Sequence, residues 1–214
     1  MSFDESMLPP DAAAYLHRQL APPFPALERL EREVEAEGQP AVGRQTGSLL
    51  RALALSCKAQ RVLEVGTNLG YSGLWLCAGL GPQGRFEGIE IDPSLAQRAG
   101  ANLHEAVGAR AQVHQGAALD VLARLPAGQY DVVFLDAVKA EYPRYLDHAL
   151  RLLRVGGILA ADNMFWSGAV WDDAKQDADT RGVREYTRRV LAEPRLATTI
   201  VPVEDGLAVS VVLR

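Results

Sequence analysis

The stretch Arg61-Val-Leu-Glu-Val-Gly-Thr-Asn-Leu-Gly-Tyr-Ser72 constrains the fold more than any other part of the chain. Val62, Leu63 and Val65 form a short apolar run that reads as a buried strand. Gly66 and Gly70 break the run, and Gly73-Leu-Trp-Leu-Cys-Ala78 resumes at helical spacing. A strand, a glycine turn and a helix make the first half of a nucleotide-binding βαβ unit. The glycines let backbone approach a ligand closely, and a helix start offers free N–H groups. Such a unit calls for an acid at the end of the next strand to bond ribose hydroxyls. Arg85-Phe-Glu-Gly-Ile-Glu-Ile-Asp92 supplies one, and Glu90 is the residue expected there. The turn is not the dinucleotide fingerprint G-x-G-x-x-G, because Thr67, Asn68 and Leu69 follow Gly66. Glu64, an acid inside the strand, is expected to point into the site; it disfavours a pyrophosphate and suits a ligand with a positive group.

Strands and helices alternate after this unit. Helix is expected over Ser94 to Val107, Leu119 to Leu125 and Tyr142 to Leu153, the last closed by Arg154-Val-Gly-Gly157. Strands are expected at Ala111–Gln115, Gln129–Asp136 and Gly157–Asn163. A polar section runs to about Gly182, followed by a basic helix to Leu191. Two last strands, near Ala197–Pro202 and Leu207–Leu213, are joined by Glu204-Asp205-Gly206, a hairpin signal. Three helices precede the first strand: Ala12–Leu20 with Tyr15, Leu16 and Leu20 on one side, Ala26–Glu37, and Gly43–Leu55. They serve either as packing for the sheet edge or as a lid over the ligand. The expected architecture is a Rossmann-like α/β fold, a seven-stranded and mostly parallel sheet with helices on both faces. The closing hairpin contributes one antiparallel strand. One domain spans 1–214, with N-terminal helices over 1–58 and the α/β core over 59–214. Ligands bind beyond the carboxyl ends of the strands in such sheets, where Gly66, Glu90, Gly116, Asp136 and Asp162 all fall.

The 214 residues are 48% hydrophobic and 23% charged, a globular composition, and the net charge of −5 with no concentrated basic stretch argues against a nucleic-acid surface. Cys57 and Cys77 lie in apolar helical patterns and read as buried thiols, which fits a cytoplasmic setting. Met1-Ser-Phe-Asp-Glu-Ser6 is acidic and has no apolar signal core, and no uncharged run reaches membrane-spanning length.

The chemistry concentrates in Phe134-Leu-Asp-Ala-Val-Lys139 and Ala161-Asp-Asn-Met164. Asp136, Asp162 and Asn163 fall at neighbouring strand tips and form a hard, all-oxygen set suited to Mg²⁺. Taken singly, strand-end Asp and Asn cap turns; together with Lys139 they read as a site. A hydroxyl beside a divalent cation loses its proton more easily, and Lys139 is placed to accept it.

The spelling E-V-G-T-N-L-G-Y-S resembles motif I of the S-adenosylmethionine (SAM)-dependent methyltransferases. Asp136-Ala-Val-Lys-Ala-Glu-Tyr142 resembles the D-A-x-K-x-x-Y segment of the small metal-dependent O-methyltransferases that act on catechols and caffeoyl esters. Asp162-Asn163 with Phe165-Trp-Ser-Gly168 resembles their D-N-x-x-W-x-G segment, and Pro202-Val-Glu-Asp-Gly-Leu207 is similar to their P-I-G-D-G-L hairpin. The resemblance runs from about Pro40 to Arg214 and marks a bacterial-type member of that family. It implies a class I fold and methyl transfer from SAM to a hydroxyl of a catechol-like or caffeoyl-type acceptor. By it, Asp136, Asp162 and Asn163 hold a divalent metal, Mg²⁺ with Mn²⁺ or Ca²⁺ as alternatives, and Lys139 is the general base. Glu64, Gly66 and Ser72 hold the methionine part of SAM, Glu90 its ribose and Ala118 its adenine, while Val42 and Asp136 also touch it. Asp205 and Trp166 reach the acceptor, a small phenolic molecule, and the enzyme is a homodimer.

The chain departs from the pattern in places. Val138 stands where plant enzymes have a second acid, and Ala118 and Leu119 replace polar residues around adenine, leaving those hydrogen bonds to backbone. Phe165, Trp166 and Trp171 either wall an aromatic acceptor or pack in the core. His17, His104, His114 and His148 have no metal-ligand spacing, and Arg181, Arg184, Arg188 and Arg189 form a solvated or intersubunit helix face. The rival readings are a nicotinamide dehydrogenase, a metal-independent methyltransferase on another acceptor, and a non-catalytic cofactor-binding dimer module.

Overall fold

The computed structural model describes residues 8–214, so the acidic start read for a signal core lies outside the described residues. Seven strands form one sheet: β1 (Arg61–Val65), β2 (Arg85–Glu90), β3 (Ala111–Gln115), β4 (Tyr130–Leu135), β5 (Leu153–Ala161), β6 (Leu196–Val201) and β7 (Leu207–Val212). Their order across the sheet is β3-β2-β1-β4-β5-β7-β6. The first five pair in parallel, and β7 runs antiparallel to both β5 and β6. The sheet is therefore the mostly parallel one expected, with a single reversed strand.

Side chains alternate across the central strands, as a two-residue period requires. Val132 and Phe134 enter one core, Val133 and Leu135 the other. Because both faces are covered, β4 reads in the sequence as an unbroken apolar run. Helices α2 (Pro25–Glu37), α3 (Arg44–Ser56), α4 (Tyr71–Cys77) and α5 (Pro93–Val107) contribute Leu27, Leu50, Trp75 and Leu103 to the first core. Helices α6 (Ala118–Arg124), α7 (Tyr142–Leu152) and α8 (Ala178–Ala192) contribute Leu122, Leu146 and Tyr186 to the second.

Helix α1 (Pro10–Gln19) buries no residue, and Tyr15 is 56% exposed. Leu16 and Leu20 on its apolar side are half-buried, so it packs only in part. Arg44 also holds it, donating Nη1 to the carbonyls of His17 at 3.1 Å and Leu20 at 3.3 Å. Three boundaries also move. β5 begins at Leu153, because the Arg154–Gly157 segment is absorbed as a bulge: the ladder jumps from Tyr130–Leu153 to Val132–Ile158, with Gly156 at φ 75°. α8 starts before Gly182, at Ala178, where the Asp177 side chain accepts the Thr180 N–H at 2.9 Å and caps the first turn. The β6–β7 connection fills residues 202–206 and is a wider loop than a two-residue turn. Both cysteines are free; Cys77 is buried as expected, whereas Cys57 is only half-buried.

Candidate active site

A cleft of about 600 Å³ opens at the carboxyl ends of β1 to β5, within the size range of small-molecule sites. All five strand-end residues picked from the sequence contribute to its lining, as do Val42, Ser72, Ala118, Lys139, Asn163, Trp166 and Asp205.

One end is built on the turn after β1. Gly66 has φ 91°, and a Cβ there would run into the Asp136 carbonyl oxygen, so no other residue fits. The N–H groups of Gly66 and Thr67 both donate to Ile89 O, at 3.0 and 3.1 Å, tying the turn to β2. Glu90 is buried with its carboxylate fixed at both oxygens: Asn68 N–H donates to Oε2 and Asp92 N–H to Oε1, each at 2.9 Å. A carboxylate held this way keeps acceptor sites for the hydroxyls of a sugar. Glu64 behaves differently. It is fully buried and absent from the cleft lining, one layer beneath the floor, with its carboxylate toward Gly73 on the α4 side. Ser72 and Thr67, the hydroxyl residues beside it, do line the cleft. Neither Glu64 oxygen has a hydrogen bond of ordinary geometry. Burial, reinforced by the charges of Asp136 and Glu90, pushes its carboxyl up to about 8 against the pull of the Ser72 and Thr67 hydroxyls.

The other end is built from side chains. Lys139 is buried, and its Nζ donates to Asp136 Oδ1 at 2.7 Å and to the Tyr142 hydroxyl at 2.9 Å. The Tyr142 hydroxyl in turn donates to Leu135 O at 3.0 Å, so the ammonium is anchored through a tyrosine to the backbone of β4. The Trp166 ring lies 5.7 Å from the same Nζ. Asp162 is buried with Oδ1 unpartnered. Burial first, then the charge of Asp136, holds its carboxyl well above the ordinary carboxylate range, against the pull of Lys139. Asn163 donates Nδ2 to Asp205 Oδ2 at 3.1 Å, which leaves its amide oxygen as the atom on offer. Asp205 Oδ1 accepts the Ser167 N–H at 2.9 Å. Asn163, Trp166 and Ser167 all adopt positive φ, a strained run of the kind that collects at functional sites.

The donor set can be tested against a divalent ion. Among the described residues, no three or more His, Cys, Asp or Glu side chains gather as a metal cluster. What the tips of β4 and β5 do offer is two carboxylates and an amide oxygen, one carboxylate oxygen being orphaned in a buried position. That chemistry fits a hard cation.

Of the three aromatic residues considered as a wall, Trp166 alone lines the cleft. Phe165 packs on Gly206 and tilts against Trp171 at 5.8 Å, and Trp171 is 64% exposed. Two arginines of α8 are structural: Arg184 collects the carbonyls of Ala169, Val170, Asp172 and Lys175, and Arg189 ties Pro143 O and Asp147, whereas Arg188 is solvated and pairs with Glu185 of its own helix. Sequence reasoning gave no role to Tyr142, Glu141, Tyr145 or Glu204. Tyr142 had a signal, since it stands three residues beyond Lys139, one helical turn.

Residues 24–213 match the model of the O-methyltransferase family. The chain belongs to that family. It is 36% identical to the catechol O-methyltransferase of Mycobacterium tuberculosis over 99% of this chain and 100% of that protein. Among solved structures, the O-methyltransferase TomG of Streptomyces achromogenes, in complex with SAM, is 33% identical with a TM-score of 0.87 over 95% of this chain and 96% of that one. An O-methyltransferase from Bacillus cereus, in complex with SAH (S-adenosylhomocysteine), is 32% identical with a TM-score of 0.85 over 93% and 96%.

Proposed function

We propose that this enzyme transfers the methyl group of SAM to a hydroxyl of a small catechol-like or caffeoyl-type acceptor. The observation that carries the reading is the grouping of Lys139 Nζ, Asp136 and the orphaned Asp162 oxygen at one end of a cleft whose other end is the Gly66 turn and Glu90. The names of the similar proteins support it: a catechol O-methyltransferase, and structures with SAM and SAH.

Gly66, Ser72 and Val42 would bound the methionine part of the cofactor, and Glu90 its ribose. Bound SAM supplies a methyl on a positively charged sulfur, already activated for attack. Asp136, Asp162 and Asn163 would hold a divalent cation, which when bound supplies Lewis acidity to the acceptor oxygen. Lys139 in its neutral form takes the hydroxyl proton. As an ammonium it then stands beside the developing oxyanion, with Tyr142 fixing Nζ in place. Trp166 offers its ring to an aromatic acceptor, and Asp205 holds the loop that carries it. The chemistry conserves atoms: the oxygen loses a proton and gains a methyl, and the sulfonium becomes a thioether. Much of the rate then comes from holding two reactants in line.

One observation favours a second reading. Lys139 already bridges Asp136 at 2.7 Å, so the first oxygen of the donor set has a cation without any metal. SAH production from catechols, caffeic acid and caffeoyl esters, each with Mg²⁺ and with EDTA, separates the two. Turnover requiring Mg²⁺ is expected. Turnover surviving EDTA keeps the methyltransferase and removes the metal. SAH binding without turnover of any acceptor overturns the phenolic reading. We also propose a cytoplasmic homodimer, to be checked by light scattering; no described helix is long and apolar enough to cross a membrane.

A further inference from the structure

The end of β3 poses a problem that the structure answers. Ala118 and Leu119, beside which the adenine of SAM would sit on the reading above, carry no polar side chain for its exocyclic amine. Two large aliphatic residues nevertheless stand open at the cleft: Ile91 is 65% exposed just beyond β2, and Val138 is 55% exposed just beyond β4. Apolar groups that line one cleft from the ends of β2 and β4, on either side of β1, suit a flat ring lying between them. Val138, Glu141 and Tyr145 follow at spacings of three and four, so they share one face of the segment entering α7. Lys139 and Tyr142 share the other face and bond to each other at 2.9 Å beside Asp136. Tyr145 belongs to the core that Ala118 and Leu119 pack against, and Ala118, Val138, Glu141 and Tyr145 line the same cleft. Glu141 and Tyr145 both line the cleft, and the Tyr145 hydroxyl donates to Glu141 Oε2 at 2.6 Å. That bond orients the carboxylate and leaves acceptor positions on it for another donor.

We propose that Glu141, oriented by Tyr145, accepts a hydrogen bond from the 6-amino group of the adenine, between walls formed by Ile91 and Val138. The assignment rests on the SAM reading. It makes Glu141 a base-recognition residue that replaces the polar groups missing at positions 118 and 119.

The test is calorimetric binding of SAH and of its analogue with purine in place of adenine, hydrogen standing for the amine. Wild type should prefer SAH by about tenfold or more, the scale of a hydrogen bond to a charged group. Glu141→Ala should abolish the preference, Glu141→Gln should retain part of it, and Tyr145→Phe should reduce it. A structural role alone would weaken both ligands equally. An unchanged preference in Glu141→Ala overturns the assignment while leaving the cofactor in place. Wild type that binds neither ligand overturns the SAM reading and this inference with it.

Discussion

At the β1–β3 end of the cleft, the groups that face the ligand are a glycine turn, backbone amides and a carboxylate clamped by two N–H donors. At the β4–β5 end they are carboxylates, a buried lysine and a loop with three residues at positive φ. The first end is a mould of backbone around one clamped carboxylate, with the unpartnered oxygens of Glu64, Thr67 and Asn68 buried behind it. The second holds its groups in tension: a cation against a carboxylate, an orphaned oxygen, a backbone strained by roughly 1–3 kcal/mol per residue. A mould suits the parts of a ligand that no bond change touches, and tension suits the place where bonds are exchanged. The comparison predicts that substitutions at the second end damage catalysis and spare cofactor binding.

The largest expected effect follows from removing Asp162. Asp162→Ala, or Asp136→Ala, should lower kcat/KM by about 10³-fold, the upper range for losing one preorganised electrostatic group, in a protein that still melts cooperatively. SAH affinity measured on Asp162→Ala should stay near wild type. A parallel loss of SAH affinity would break the division between the two ends, and near-normal turnover would sink the metal assignment. Lys139→Ala comes next, with a fall of about 10²-fold in kcat and little change in cofactor affinity. Single-turnover kinetics checks this: a chemical step as fast as wild type rules out the lysine as base.

The same contrast explains how much of the molecule was legible in the sequence. Strand, turn and helix after Arg61 are encoded in contiguous residues by periodicity and glycine spacing, so the mould could be read directly. Asp136, Lys139, Asp162 and Asn163 could be read because each stands at a strand end, and topology brings strand ends together. Contacts between distant segments could not be read. Glu204 meets Gly43 across 161 positions, and nothing local to either residue announces the other. Glu64 showed its identity but not its depth, because a strand period tells which face a side chain takes and not whether solvent reaches it. The helix start at Ala178 was missed inside a polar run, although Asp177 three residues before Thr180 is a capping signal.

Glu64 gives a prediction of intermediate size, placed entirely at the mould end. The folded carboxyl keeps its proton up to about pH 8, against a reference value of 4.5 in the unfolded chain. Between those values the folded state binds more protons, so this contribution is complete below pH 4.5 and is lost as the pH rises to about 8. The change is on the order of a few kcal/mol. Glu64→Gln, neutral throughout, should flatten that fall. Urea melts of both proteins from pH 5 to 8 in the absence of cofactor would show it, and parallel curves would mean that Glu64 ionises as an open carboxylate.

The smallest effect is expected where the two ends meet, in the β6–β7 loop. Helix α3 has Gly43 at its N-cap, a residue with no side chain to satisfy the first N–H groups. Glu204 does it from the far end of the chain: Oε2 accepts the Gly43 N–H at 2.8 Å, and Oε1 lies 3.4 Å from the Thr46 nitrogen. A Cβ at Gly43 would collide with this carboxylate. Glu204 itself sits at φ 49°, where the P-I-G-D-G-L pattern it resembles has glycine. Its neighbour Asp205 reaches the other way, to Asn163 and Ser167. One strained residue therefore clasps the N-terminal helices while the next braces the acceptor loop. Glu204→Ala removes the cap but keeps the strain and should cost about 1 kcal/mol. Glu204→Gly removes both, so its losses and gains oppose and its stability should return toward wild type. Denaturant melts of the pair decide the matter. Equal destabilisation would show that the backbone strain is not released by glycine, and a Glu204→Ala protein as stable as wild type would show that the clasp contributes nothing to holding the helices over the cleft.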